Sequence, residues 1–251
     1  MAPKTEVYGL QISEGYLRFY SFARNKNTEG QQFLLRMPPG VLSAGRVVNR
    51  DAFAKVLSEL HGKVKAKRKQ AVNVILTIPI NNVYIQPFKL PAVAGDNLAE
   101  SAGLNLRMIS PIKIDTAYYD WQKLGGGQGE DQIDMVGAFV PKEVVDGLIE
   151  VLQEEGFSVA AVEFSTLSIV RAATWSKLAK PEVPNLFMEL VPEGLNFFVS
   201  HLGSLYFHHF MSWGNFQDSS KAISIEKFRE QIADEIRKIT NFYSSNFKVG
   251  E

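Results

Sequence analysis

The segment from Asn185 to Phe210, NLFMELVPEGLNFFVSHLGSLYFHHF, decides how the rest of this chain is interpreted. It contains three runs rich in apolar and aromatic residues, separated by Pro192-Glu193-Gly194 and by a turn near Gly203. Runs of this kind bounded by turn residues are typical of strands. The segment therefore predicts three consecutive strands joined by two tight turns.

Composition narrows the class of protein around this segment. The 251 residues suffice for one large domain or two smaller domains with cores of their own. Lys and Arg (27) balance Asp and Glu (27), so net charge gives no reason to expect nucleic acid or an anionic membrane as a partner. The absence of cysteine excludes disulfides and thiolate catalysis. No signal peptide or apolar run of about 18 residues is present, so we expect a cytoplasmic protein.

Working outward, the same plan of strands, helix and strand occurs on both sides of a linker at 180–184. The elements predicted before and after the linker are strands within 7–23, 31–37, 71–78, 83–89, 116–124, 133–140 and 158–164, and helices at 51–61, 96–108, 141–155, 165–177 and 224–247. Gly103 interrupts the second helix pattern. Alternation of this kind predicts an α/β layered fold.

In this order the segments resemble the PilM family of actin-like proteins of type IV pilus assembly, which is itself similar to the division protein FtsA. The resemblance extends over nearly all 251 residues, although few of them are diagnostic. It is carried by VYGLQISEGYLRFY, MPPGVLSAGRVVNRDAFAKVL, AVNVILTIPINNVYIQPFKLP, ISPIKIDTAYYDWQKLG and AFVPKEVVDGLIEVLQEEGFSVAAVEFSTLSIVRA.

The resemblance implies an actin-like (ribonuclease H-like) α/β fold of two lobes. The first lobe would comprise 1–90 plus 157–182, with a small inserted α+β subdomain at 91–156, and the second lobe would comprise 185–251. In the family the second lobe continues with another strand and a Gly-Gly adenosine-binding turn. The second lobe is therefore expected to be incomplete here, through trimming or a further C-terminal segment.

In the family, the first phosphate hairpin carries Gly-Leu-Asp-Ile-Gly, and here the corresponding residues are Gly9-Leu10-Gln11-Ile12-Ser13. Gln11 is a neutral amide and a poor partner for a divalent cation, which prefers carboxylate oxygens. Ser13 replaces the second glycine, although Gly15 lies nearby. This hairpin therefore has the family layout without the family's acidic residue.

The second hairpin departs from the family motif Asp-Ile-Gly in a similar way. Glu189 keeps a carboxylate on a longer arm, Pro192 removes a backbone donor, and Glu193 adds a negative charge near the expected phosphates. We therefore expect neither a cofactor nor ATP hydrolysis. The alternative is an active Mg-ATP site, with Glu189 on the metal side and Ser13 and Gly15 near the phosphates.

Aromatic residues cluster at the predicted junction between the first lobe and the inserted subdomain. Most of them should belong to the core, yet Tyr and Trp also suit a binding groove. In the family this junction is implied to hold the N-terminal cytoplasmic peptide of the membrane protein PilN, through strand addition and side-chain pockets. The candidate groove residues are Tyr84, Phe88, Tyr118, Tyr119 and Trp121.

Other features favour ordinary structural roles. His208 and His209 are adjacent on a strand and point to opposite faces, so no metal site is expected. Gly125 to Gly129 lacks the Lys-Ser/Thr of a P-loop and is interpreted as a hairpin tip. The basic run of Lys63, Lys65, Lys67, Arg68 and Lys69 is either a solvated loop or a contact for anionic lipid headgroups.

These observations favour a cytoplasmic scaffold of a type IV pilus-like machine that acts without ATP hydrolysis. It would bind a PilN-like peptide and other pilus platform proteins, without nucleic acid, and would reach the inner face of the cytoplasmic membrane only through its partners. The alternatives left open are the active Mg-ATPase of the same fold, the GspL-type cytoplasmic domain of a type II secretion platform, and an FtsA-like division protein.

Overall fold

A computed structural model describes residues 6–21, 30–64, 71–129, 131–218, 220 and 222–247. The strands are β1 Tyr8–Ile12, β2 Tyr16–Tyr20, β3 Gln32–Arg36, β4 Leu42–Ser43, β5 Arg46–Val47, β6 Val72–Ile78, β7 Tyr84–Pro91, β8 Ala117–Gly129, β9 Gln132–Pro141, β10 Phe157–Phe164, β11 Asn185–Val191, β12 Gly194–His201 and β13 Ser204–Ser212. The helices are α1 Arg50–Lys63, α2 Leu98–Ile109, α3 Lys142–Glu154, α4 Ser165–Trp175 and α5 Ile225–Asn246.

The chain divides into two compact units, and the first comprises Met1–Val83 and Val140–Ser168. Its sheet has the order β10-β6-β1-β2-β3, with β6 parallel to both β1 and β10. Strand β6 alternates between buried and less buried positions, as expected for a strand that contributes every second side chain to a core. Helices α1 and α3 contact each other, and α3 also packs on β10.

The second unit comprises Tyr84–Phe139 and Ile169–Glu251 and contains two three-stranded sheets. One sheet has the order β7-β9-β8 and packs against α2 around Phe88, Leu106 and Phe139. The other has the order β11-β12-β13 and packs against α5 around Phe197, Tyr206 and Ile239. The domain bounds expected from the family resemblance remain a prediction.

The three strands predicted from 185–210 are confirmed, and so are their two tight turns. Pro192 and Glu193 connect β11 to β12, with Val191 paired to Gly194. Leu202 and Gly203 connect β12 to β13 and have φ values of 50° and 73°. Positive φ at both central residues is the geometry of a type I′ hairpin turn, which matches the twist of the flanking strands.

The structure differs from the sequence expectations in three elements. Helix α2 continues through Gly103, since a glycine weakens a helix without ending it. Strand β8 continues to Gly129 instead of ending at Leu124. Backbone hydrogen bonds to β9 hold the glycine-rich part in an extended conformation that glycines alone would not favour. In α5 the 3–4 spacing of the apolar residues predicts a buried face made of Ile225, Phe228, Ile232, Ile236 and Ile239. Of these, Ile225 and Ile236 are 73% and 38% exposed, whereas Glu235 is buried.

Two remaining expectations concern contacts with membranes. Of the basic run, Lys63 ends α1 and pairs with Glu59 at 2.7 Å, whereas Lys65, Lys67, Arg68 and Lys69 lie outside the described residues. Among the helices described, none is both long enough and apolar enough to cross a membrane.

Candidate functional site

The first candidate hairpin is formed by β1 and β2, and Gln11 lies opposite Arg18 in their antiparallel register. Arg18 Nη1 donates to Gln11 Oε1 at 3.4 Å, and the guanidinium carbon lies 4.9 Å from the centre of the Tyr16 ring. Gln11 therefore has a cation as its neighbour. A divalent metal at this position would be repelled by the guanidinium and would find only a neutral amide oxygen as ligand.

The turn of this hairpin uses the polar groups that a phosphate would need. Ser13 is 6% exposed, and both its backbone N–H and its hydroxyl donate to the carbonyl of Tyr16, at 2.9 and 3.1 Å. The carbonyl of Gly15 accepts from Met37 N at 3.0 Å. Glu14 next to them places a carboxylate in the same turn and accepts from Ala44 N at 2.6 Å. The turn is thus ordered by bonds within the protein.

In the second candidate hairpin, Glu189 of β11 lies opposite Asn196 of β12. Asn196 is fully buried, and its Nδ2 donates to Glu189 Oε2 at 2.9 Å. This bond gives the buried Nδ2 group of Asn196 the hydrogen-bond acceptor that a buried polar group requires. The Glu189 carboxylate therefore has a structural role in the sheet.

The turn of the second hairpin is held by Trp213, which follows β13. Its indole Nε1 donates to the Val191 carbonyl at 3.0 Å, and its backbone N–H donates to the Glu193 carbonyl at 3.3 Å. A Cβ placed on Gly194 would lie 2.1 Å from the carbonyl oxygen of Met211. Gly194 is therefore required by the close approach of β13, independently of any ligand.

The candidate nucleotide residues are distributed over both compact units. Gln11, Ser13 and Gly15 belong to the first unit, and Glu189 and Glu193 belong to the second. Within its own unit, each hairpin adopts the expected layout of two antiparallel strands joined by a tight turn.

All five candidate groove residues lie on β7 and β8 of the second unit. Phe88 is 9% exposed and belongs to the core against α2, and Trp121 packs against the same cluster. Tyr84, Tyr118 and Tyr119 are 39%, 45% and 39% exposed. Because alternate residues of a strand share a face, Tyr118 points away from Tyr119 and Trp121. The set therefore divides into core residues and three exposed tyrosines.

The sequence did not predict that His208 would line a cavity, which has a volume of about 420 Å³ and lies in the second unit. The walls of this cavity come from β7, β9, β13 and α5: Ile85, Gln86, Pro87, Phe88, Lys89, Asp134, Phe207, His208, Phe242, Asn246 and Phe247. Burial, together with the nearby charge of His209, lowers the pKa of His208 to about 3. The only signal in the sequence was a histidine within an aromatic strand.

The neighbouring His209 points to the opposite face, as predicted, and its Nε2 lies 3.6 Å from the buried carboxylate of Glu235 on α5. Lys238 Nζ lies 3.6 Å from the other oxygen of the same carboxylate. Within the described ranges, no three His, Cys, Asp or Glu side chains are placed to hold one metal ion.

The parallel β6-β1 pair, the β1-β2-β3 meander and the second meander β11-β12-β13 with its helix define an actin-like α/β fold. No protein-family model matches the chain, and no curated protein sequence matches it. Solved structures do match. A chain from the structure titled "PilM-PilN type IV pilus biogenesis complex" aligns with a TM-score of 0.69 and 18% identity, over 84% of this chain and 62% of that chain.

Two further structures also align with this chain. The cytoplasmic domain of EpsL, an inner membrane component of the type II secretion system of Vibrio cholerae, aligns with a TM-score of 0.51 and 13% identity, over 82% of this chain and 71% of that chain. A Bacteroides thetaiotaomicron protein with an actin-like ATPase fold aligns with a TM-score of 0.48 and 13% identity, over 96% of this chain and 77% of that chain. At 18% and 13% identity, the alignments with the PilM-PilN chain and with EpsL show a similarity of fold alone.

Proposed function

We propose that this protein is an actin-like scaffold of a type IV pilus-like assembly platform. In this role it binds the N-terminal cytoplasmic peptide of a PilN-like inner-membrane protein and is thereby recruited to the cytoplasmic face of the membrane. The observation that carries the proposal is the likeness to the chain from the PilM-PilN complex, which extends over 84% of this chain. This chain spans 62% of the length of the aligned chain. The activity and the partners named here for this protein are therefore proposed.

The proposed scaffold acts without hydrolysing ATP. In support of this, Gln11 is bound by a guanidinium, and the Ser13 hydroxyl closes its own turn. In the second hairpin Glu189 is bound by Asn196, and Trp213 occupies two carbonyls of the turn. A phosphate approaching these turns would meet Glu14 and Glu193, and the repulsion between like charges disfavours its binding.

The exposed tyrosines of β7 and β8 suit the proposed peptide partner. Tyr84 and Tyr119 offer large, rigid apolar surfaces with a polar tip, which is the character of residues that anchor interfaces. Phe88 and Trp121 would support them from the core. Binding of an extended peptide through backbone hydrogen bonds and side-chain pockets fits such a surface.

Isothermal titration calorimetry with a synthetic PilN-type N-terminal peptide tests the proposal. We expect saturable binding, weakened about tenfold or more by Tyr119→Ala, since an anchoring side chain contributes at least about 1.4 kcal/mol. Tyr20→Ala is the matched control, because Tyr20 is 40% exposed and lies on β2 of the other unit. Absence of heat at high micromolar peptide concentration would contradict the proposal.

A role in a type II secretion platform is the second candidate, supported by the likeness to the cytoplasmic domain of EpsL. The TM-score of that alignment, 0.51, is lower than the 0.69 for the chain from the PilM-PilN complex. Saturable binding of the PilN-type peptide would count against this second candidate.

A further inference from the structure

The cavity beside His208 is bounded by strands β7 and β9 on one side and by β13 and α5 on the other. All four elements belong to the second unit, apart from the last two residues of β9. The volume of the cavity, about 420 Å³, lies within the range of about 300–1,000 Å³ that is usual for small-molecule sites. The cavity is therefore large enough for a ligand of low molecular mass.

The cavity lies at the β13 edge of the second meander, where Phe207 and His208 line it. In the first unit, the strand that follows α1 is β6, which pairs with β1. A strand in the corresponding place after α5 would pair with β11, at the opposite edge of the order β11-β12-β13. Such a strand would leave the walls formed by β7 and β13 in place.

Three phenylalanine rings form an apolar side of the cavity. The centres of the Phe207 and Phe242 rings are 5.1 Å apart, with an angle of 51° between the ring planes. Those of Phe242 and Phe247 are 6.3 Å apart, with an angle of 70°. Rings inclined to each other in this way offer both faces and edges, so an aromatic ligand can stack against one ring and make an edge-to-face contact with another.

His208 supplies a polar group that lacks a partner. Its Nε2 atom is buried and makes no hydrogen bond with any residue described, whereas buried polar atoms in proteins nearly always have a partner. Burial lowers the pKa of His208 to about 3, so at neutral pH the ring is uncharged, with one nitrogen that donates and one that accepts. A hydroxyl group can both donate and accept, and it can therefore bond with Nε2 in either tautomer.

The charged groups that line the cavity neutralise each other. Lys89 Nζ lies 3.4 Å from Asp134 Oδ1, and the side chain of Asp134 is 10% exposed. Asn246 Nδ2 donates to the Phe242 carbonyl at 2.8 Å, so this amide also has a partner. A charged ligand would lose its hydration here without meeting an unpaired counter-charge among the described lining residues. The walls therefore favour an uncharged ligand.

We propose that this cavity binds a small uncharged phenol. The aromatic ring of the ligand packs against Phe207, Phe242 and Phe247, and its hydroxyl group forms a hydrogen bond with Nε2 of His208. The site is distinct from the surface proposed for the peptide, because the exposed tyrosines of β7 and β8 do not line the cavity.

Titration with p-cresol tests the proposal, and toluene is the matched compound that lacks the hydroxyl group. The side-chain nitrogen resonances of the four histidines, followed by NMR at pH 7.5, report the binding site directly. We expect p-cresol to bind saturably with a Kd below about 1 mM and to shift the Nε2 resonance of His208. Toluene should bind about tenfold more weakly, because it leaves the buried imidazole without a partner.

Two variants separate this hydrogen bond from general affinity for aromatic compounds. His208→Leu should bind p-cresol and toluene equally, because it removes the imidazole and keeps an apolar side chain. His209→Leu is the matched control, since His209 points to the opposite face toward Glu235, and it should keep the tenfold preference. Absence of saturation by p-cresol at millimolar concentration, equal affinity of the native chain for both compounds, or an unchanged preference in His208→Leu would overturn the proposal.

Discussion

His208 shows how one buried side chain couples folding to pH. Its Nε2 atom is buried and has no hydrogen-bond partner among the residues described, and burial lowers its pKa to about 3. In the unfolded chain its pKa would be about 6.5. Between these two pH values the unfolded chain binds one more proton than the folded chain, so stability decreases as the pH falls.

The corresponding prediction concerns His208→Leu, which removes the titrating ring and keeps an apolar side chain. The stability contribution of neutral His208 is complete above pH 6.5 and is lost as the pH falls toward 3. By pH 5.5 the native chain should have lost about 1.4 kcal/mol that the variant retains. Urea unfolding of both proteins at pH 7.5 and 5.5 measures this difference, and a difference that does not change with pH would contradict the prediction.

The contacts and burial of single side chains were the features least predictable from the sequence. The adjacent histidines were correctly expected on opposite faces, because alternation along a strand follows from backbone geometry. The burial of Glu235 on α5 was not expected from the sequence. Its carboxylate lies near Lys238, one turn further along the same helix, and near His209, which belongs to strand β13. The hydrogen bonds of Gln11 and Glu189 depend on strand register, which a single sequence does not specify.

At the scale of elements, two glycines with opposite roles allow a direct comparison. A side chain at Gly194 would collide with the backbone of β13, whereas a Cβ at Gly103 in α2 has no heavy atom within 4 Å. Gly194→Ala should therefore cost at least about 2 kcal/mol, as expected when backbone must move. Gly103→Ala should stabilise by about 0.5–1 kcal/mol through helix propensity.

Chemical denaturation of both glycine variants and of the native chain measures these changes in the free energy of unfolding. Similar changes for the two substitutions would contradict the opposite roles given to the two glycines. The sequence predicted α2 as a weak helix because of Gly103, and it predicted the tight turn at Gly194. It could not show that the second glycine is fixed by the backbone of Met211, which lies on the neighbouring strand β13.

At the scale of the whole molecule, the same local plan occurs in both units. Strands β1, β2 and β3 followed by α1 correspond in order to β11, β12 and β13 followed by α5. In the first unit β1 is flanked on its other side by β6, whereas among the described strands β11 pairs with β12. The repeated order of strands and helices was readable from the sequence, because it depends on hydrophobic periodicity and turn residues.

Mg-ATP should leave the thermal unfolding of the protein unchanged at millimolar concentration. A ligand present at 100 times its Kd would add about 2.7 kcal/mol of stability, which for a chain of this size corresponds to at least about 5 °C. Differential scanning fluorimetry of the native chain and of Glu189→Ala measures the shift. A shift that Glu189→Ala abolishes would establish a working nucleotide site and favour the alternative of an active Mg-ATP site.

The contact between Gly194 and the Met211 carbonyl also has a consequence for finding distant relatives. A related chain that keeps the meander is expected to retain glycine at that position, because any side chain there would meet the backbone of β13. Identity to the aligned chain from the PilM-PilN complex is only 18%. At that level, a glycine required by backbone contact fixes an alignment better than pairs of chemically similar residues do. Gly194 can therefore serve as a fixed point from which alignments to chains of similar fold are extended.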